Sequence, residues 1–131
     1  MNESQKLEVV RYRMLKAKET LDELDFLILH ELYGTAVNRT YYSCFYAVIA
    51  LLTYHDILTK THSGTRQMFG LHFIKTGIIT ENSGSFYKDI FDLRQTGDYE
   101  DFIVFDKDRV LTLVEPARIL IAEIEQLLPG L

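Results

Sequence analysis

Three polar features of the chain have residue types and spacings that could carry chemistry. Arg39, within Asn38-Arg39-Thr40-Tyr41-Tyr42, stands at the entrance to an otherwise apolar stretch, with Tyr42 entering the core beside it. An arginine in that position needs a partner, because an unpaired buried charge is strongly destabilising. Two readings stay open: an ion pair with an acidic residue of another helix, or a cation aimed at phosphate. His62, within Lys60-Thr61-His62-Ser63-Gly64, reads as a loop histidine. Such residues are commonly solvated or serve as caps, but an unperturbed pKa of ~6.5 also suits proton transfer near neutrality. The third feature is Arg94-Gln95-Thr96-Gly97-Asp98-Tyr99 at a helix end. Arg94 complements the helix dipole there, and Asp98, four residues on, can pair with it and hold it in place. The sharper alternative is a phosphate-facing arginine with the Tyr99 phenol beside it.

Other catalytic signatures are missing. No Gly-rich phosphate loop and no GxGxxG motif occurs. The residues three before the four histidines are Leu27, Leu52, Thr59 and Phe69, so the Glu-x-x-His pairs of a di-iron bundle are absent. With one cysteine and no HExxH, no metal site is expected, and no cofactor is implied. Cys44 lies among apolar and aromatic residues, where burial would raise its pKa and leave it an inert thiol.

Helices must position these groups, since alternation of period two is absent outside a short stretch near 102–105. Leu7, Val10, Met14, Ala17, Leu21, Leu24 and Ile28 recur at spacings of three and four and predict a first amphipathic helix, with Ser4 as its N-cap. Gly34 is expected to end it and reverse the chain. The second helix, 35–56, is apolar on nearly every face, which predicts burial on most sides and makes it the hub. A loop over 59–64, a short helix over 65–76 closed by Gly77, and a helix over 83–96 stopped by Gly97 follow. An ordered, aromatic-rich connection is expected over 98–105, then a last helix from an Asp106 N-cap to about Leu128. Pro116 inside that helix should kink it. The fold class is therefore all-α, an up-and-down antiparallel bundle of four to five helices in one domain over 1–131.

At 131 residues, 47% hydrophobic and 25% charged, the composition is that of a globular chain. A formal net charge of −5 supplies no overall basic field for nucleic acid, although local patches matter more than totals. The N-terminal residues lack the apolar run of a signal peptide. The longest apolar stretch, 41–53, falls short of the roughly 20 residues of a membrane span. A cytoplasmic protein with no membrane contact is expected.

The segments 36–47, 61–64 and 94–99, in this order and at these separations, together resemble the HEPN superfamily, in particular a compact bacterial and archaeal subgroup with an R-x3-D-Y signature. The resemblance implies a helical bundle that commonly dimerises, in a family rich in metal-independent endoribonucleases. Such relatives act as toxins and are often encoded beside a small nucleotidyltransferase that restrains them. The resemblance also implies an R-x4-6-H site, in which histidine handles a proton and arginine stabilises charge on phosphate. This chain departs from it, because Asp98, Tyr99 and Glu100 stand where the histidine would follow Arg94. Arg66 and His72 match the spacing, yet six residues place them on different faces of a helix. A variant site is the expectation: Arg94, His62 and Tyr99 as catalytic candidates, Arg39 and Arg94 binding RNA or nucleotide phosphate, and Asp98 and Tyr42 in support. The expected partners are a second copy, a nucleotidyltransferase-type antitoxin, and RNA or a nucleotide. The rival reading is a non-catalytic helical module for protein–protein interaction.

Overall fold

The computed structural model describes residues 1–99 and 104–131, with side-chain surroundings for 1–96 and 104–131. Its elements are α1 (Glu3–Asp22), α2 (Leu24–Leu29), α3 (Tyr33–Tyr54), α4 (His62–Phe69), a single π-helical turn (Gly70–Ile74), α5 (Glu81–Tyr99) and α6 (Lys107–Gln126). The chain folds as an all-α antiparallel bundle, with no strand among the described residues.

α3 is the hub because it has no face that water could favour. Val37, Tyr41, Cys44, Ala47, Val48, Ala50, Leu51 and Leu52 are at most 1% exposed. It packs against α1, α2, α4, α5 and α6. The other long helices each lay one stripe on it: Val10, Met14 and Ala17 from α1, and Val110, Leu113, Ala117, Leu120 and Ile124 from α6. Tyr87, Ile90 and Phe91 supply the stripe of α5, while Phe86 and Leu93 are only partly buried.

Several boundaries differ from expectation for local reasons. The first helix begins at an Asn2 cap, whose side chain accepts from the Gln5 backbone N–H at 2.8 Å while Gln5 Oε1 accepts from the Asn2 N–H at 3.0 Å. This reciprocal pair outcompetes Ser4, which has Leu7 rather than a glutamate or glutamine three residues on. Gly34 lies inside α3, and the left-handed residue of the preceding turn is Glu31, at φ 59°. Gly97 does not stop α5, which continues to Tyr99. α6 starts where expected, with the Asp106 carboxylate accepting from the Arg109 N–H at 2.8 Å, and continues through Pro116. The connection expected over 98–105 falls largely outside the described residues.

Gly77, at φ +79°, closes the π-helical turn, with its N–H donating to the Ile74 carbonyl at 3.0 Å. Alanine would meet no atom within 4 Å there, so only the backbone conformation resists it. Gly77→Ala should cost about 1–2 kcal/mol, measured by urea denaturation, with α-helical circular dichroism unchanged.

Candidate functional site

His62 is not in a loop. Thr61 adopts extended backbone, its Oγ1 accepts from the Gly64 N–H at 2.8 Å, and His62 becomes the first residue of α4. The capping hydroxyl thereby fixes where the imidazole enters. Its Nδ1 meets Tyr41 Oη at 2.7 Å, and its ring tilts over Phe45 with centroids 4.4 Å apart. Arg94 reaches the same tyrosines from α5, its guanidinium carbon 5.1 Å from the Tyr41 ring centroid and 5.5 Å from that of Tyr42. Two neighbouring tyrosines of the hub helix thus form a floor, with a histidine and an arginine from two other helices converging on it. Cation–π attraction holds the guanidinium over those rings.

The electrostatics follow from this packing. Tyr41 is fully buried, and burial pushes its pKa up to about 12, while the Arg94 charge pulls the other way. It is a phenol at any physiological pH. Burial, and after it the Arg94 charge, hold the His62 pKa below the usual ~6.5, so the imidazole is neutral at neutral pH. A phenol can donate to Nδ1 or accept from an Nδ1–H, so it orients the ring in either tautomer. With Nδ1–H donating to Tyr41, Nε2 offers a lone pair for taking a proton; in the other tautomer Nε2–H can give one. Nε2 makes no hydrogen bond among the described residues.

Arg39 stands apart from this cluster. Its Nε donates to Glu23 Oε2 at 3.0 Å and its Nη2 approaches Thr20 Oγ1 at 3.4 Å, tying α3 to the end of α1. The ion-pair reading therefore describes its contacts. Tyr42 packs edge-on to His62, with centroids 5.8 Å apart. The side chains of Asp98 and Tyr99 lie outside the described residues. Arg66 faces α5, 4.7 Å from the Phe91 ring centroid and 3.7 Å from Asp92 Oδ1, whereas His72 is exposed on the π-helical turn. Cys44 is buried, with its pKa raised to about 12 by burial. No group of three or more His, Cys, Asp or Glu side chains suited to a metal occurs among the described residues. None of the helices described is long and apolar enough to cross a membrane.

Two contributors carried little sequence signal. Tyr41 reads as one more core aromatic, and only its hydroxyl, 21 positions from its partner histidine, reveals another role. Arg13 on α1 borders the apolar stripe between Val10 and Met14; its Nη1 donates to Thr53 Oγ1 at 2.6 Å, in a cavity that His62 also lines.

A family model for the HEPN domain matches residues 10–127, nearly the whole bundle. The chain belongs to the HEPN family. Among its HEPN relatives is a "UPF0332 protein" of Thermotoga maritima, 36% identical over 131 residues, covering 100% of this chain and 98% of the relative. A protein of Methanocaldococcus jannaschii named "Putative toxin" is 36% identical over 104 residues, covering 79% of this chain and 71% of that protein. A second "Putative toxin" of the same organism is 37% identical over 83 residues, 63% of this chain and 62% of the relative. The HEPN match places Tyr41, His62 and Arg94 within the domain and not in an appended segment.

Proposed function

We propose that this HEPN protein is the toxin-like member of a toxin–antitoxin pair and that the Tyr41–His62–Arg94 cluster is where it engages RNA. One observation carries this reading: His62 and Arg94, on different helices, meet over one pair of tyrosines, with the histidine neutral and its Nε2 without a hydrogen bond among the described residues. Arg94 would bind a phosphate and stabilise charge as it develops. His62 Nε2 would take the proton of the adjacent ribose 2′-hydroxyl as that oxygen attacks phosphorus. The P–O5′ bond then breaks to leave a 2′,3′-cyclic phosphate, and the 5′-oxygen collects the proton from the imidazolium. Tyr41 would orient the imidazole, and Tyr42 would flank both groups. Tyr99 and Asp98, which follow Arg94 in sequence, would complete the site as a second proton carrier and a support for the arginine. In this reading Arg39 serves the bundle rather than the phosphate.

The names of the two archaeal relatives support the toxin-like part of the proposal. We further propose a homodimer as the working form and a nucleotidyltransferase-type antitoxin as the partner. Phe26, Leu29 and Leu32 are 60%, 77% and 46% exposed around α2, and this apolar grouping gives a protein partner something to cover.

The test is RNA cleavage by the purified protein in EDTA, comparing the native chain with Arg94→Ala. Cleavage should fall at least about a hundredfold in the variant, because a preorganised donor to developing charge is worth roughly that much. Its thermal midpoint should stay within a few degrees. No cleavage by the native chain, or equal cleavage by both, would overturn the assignment.

A further inference from the structure

His62 also lines a cavity of about 240 Å³ between α1, α3, the 55–61 loop and the start of α4, and Arg94 is not among its walls. Its walls have two characters. Phe45, Ile49 and Leu58 give an apolar face, and Leu58 is 81% exposed at the mouth. Two cations, Arg13 and Lys60, line it as well. Arg13 is half-buried and makes one hydrogen bond, to the Thr53 hydroxyl, and no carboxylate pairs with it among the described residues. Burial lowers its pKa, yet a guanidinium stays protonated, so a partly desolvated charge lines the cavity with no carboxylate beside it among the described residues.

We propose that this cavity is a nucleotide subsite, in which a nucleobase lies on the Phe45–Ile49–Leu58 face while its phosphate is held by Arg13 and Lys60. The mixed lining disfavours simpler occupants. An apolar helix would seal Arg13 in without a counter-charge, and an acidic side chain would answer the cations but leave the apolar face wet. A base carrying a phosphate satisfies both. At about 240 Å³, under the ~300 Å³ lower bound of ordinary small-molecule sites, the cavity limits occupancy to one nucleotide at most. His62 lines both this cavity and the Arg94 cluster, so a strand whose phosphate sits between His62 and Arg94 would lay a neighbouring nucleotide here. That continuity rests on the proposed RNA reading; the occupancy of the cavity by a nucleotide does not.

The experiment is a titration of the full chain with nucleoside 5′-monophosphates, with short oligoribonucleotides, and with inorganic phosphate. Binding is followed through the Thr59, Thr61 and His62 amide resonances and by calorimetry. Mononucleotides should shift those resonances saturably, and Arg13→Met should weaken binding about tenfold or more, the worth of one charge-assisted contact. Arg13→Lys, which keeps the charge, should lie between. Arg94→Ala should lose RNA cleavage while mononucleotides still shift the Thr59 and Thr61 resonances saturably, so the two assignments can fail separately. Binding of oligoribonucleotides alone, lost in Arg13→Met, would assign the cavity to a residue of a strand; binding of mononucleotides as well would admit free nucleotides. Should the methionine variant unfold, Lys60→Gln, at an exposed position, takes its place, with an expected weakening of about threefold. The subsite is overturned by no response to any nucleotide. It is equally overturned by unchanged affinity in the folded variants, or by inorganic phosphate binding as tightly as the mononucleotides, which would leave the apolar face without a role.

Discussion

Alanine in place of His62 should slow RNA cleavage by about 10²–10⁴-fold, the usual worth of a positioned general acid or base, while the bundle keeps its helical content. The residue starts α4, whose cap is supplied by Thr61 and not by the imidazole, so the helix survives the change. What disappears is the Nε2 proposed to take the proton and the partner of the Tyr41 hydroxyl. The pH dependence gives a second readout. Burial first and the Arg94 charge second hold the His62 pKa under its ordinary ~6.5, so the folded chain binds the proton less readily than the unfolded one. Between the two values the unfolded state carries more protons, and stability rises with pH. Acidification therefore begins to remove stability as pH falls through about 6.5, and the loss is complete below the folded-state value. Activity that needs a neutral imidazole should likewise keep its acid limb below about 6.5. Arg94→Met removes the second cause and should move the His62 titration, followed by its C2–H resonance, upward toward the ordinary value. A titration that stays put would separate Arg94 from His62 electrostatically.

Leu51→Ala should lower stability by about 2–5 kcal/mol, the range for deleting a fully enclosed leucine. Leu51 is 0% exposed on the helix that every other helix packs against, so no single neighbour can collapse into the space without leaving another contact. For a chain of this length, a loss in the middle of that range lowers the thermal midpoint by roughly 10–15 °C. Leu58→Ala is the matched control. At 81% exposure it should change stability by no more than about 0.5 kcal/mol. Calorimetry on the two variants would show whether α3 is the hub energetically as well as geometrically.

The bundle was legible because its signals are local and redundant. The apolar stripes of α1 and α6 and the all-round apolar surface of α3 lie in runs of sequence that no alternative element could bury. Termini were less legible, because several residues compete for each one. Asn2 and Ser4 are both competent caps, and only the glutamine three residues after Asn2 decides between them. The Thr59–Gly64 stretch reads as loop by composition, yet one threonine hydroxyl in it is enough to start a helix at His62. Arg94 and His62 stood out by type and position, while what joins them did not. A tyrosine in an apolar run is indistinguishable from packing until its hydroxyl is seen to have a partner, and that partner lies 21 residues away on another helix. Arg13 was illegible for the opposite reason: an arginine beside an amphipathic stripe looks like ordinary solvated surface. That no carboxylate meets it among the described residues is a fact of three dimensions.

The Glu23–Arg39 tie has a consequence for how this chain could diverge. Glu23 sits at the junction between α1 and α2, and Arg39 clamps that junction to the hub helix one turn before Tyr42. The segment beyond the junction, α2 with its outward Phe26 and Leu29, is thus pinned at its base and unconstrained along its outer face. Substitutions on that face would change which surfaces the molecule meets without disturbing the histidine and arginine over the tyrosine floor. On the proposed reading, recognition and chemistry would be carried by separate parts of one small bundle, so a lineage could exchange partners by drift at a few exposed positions and keep the cluster intact.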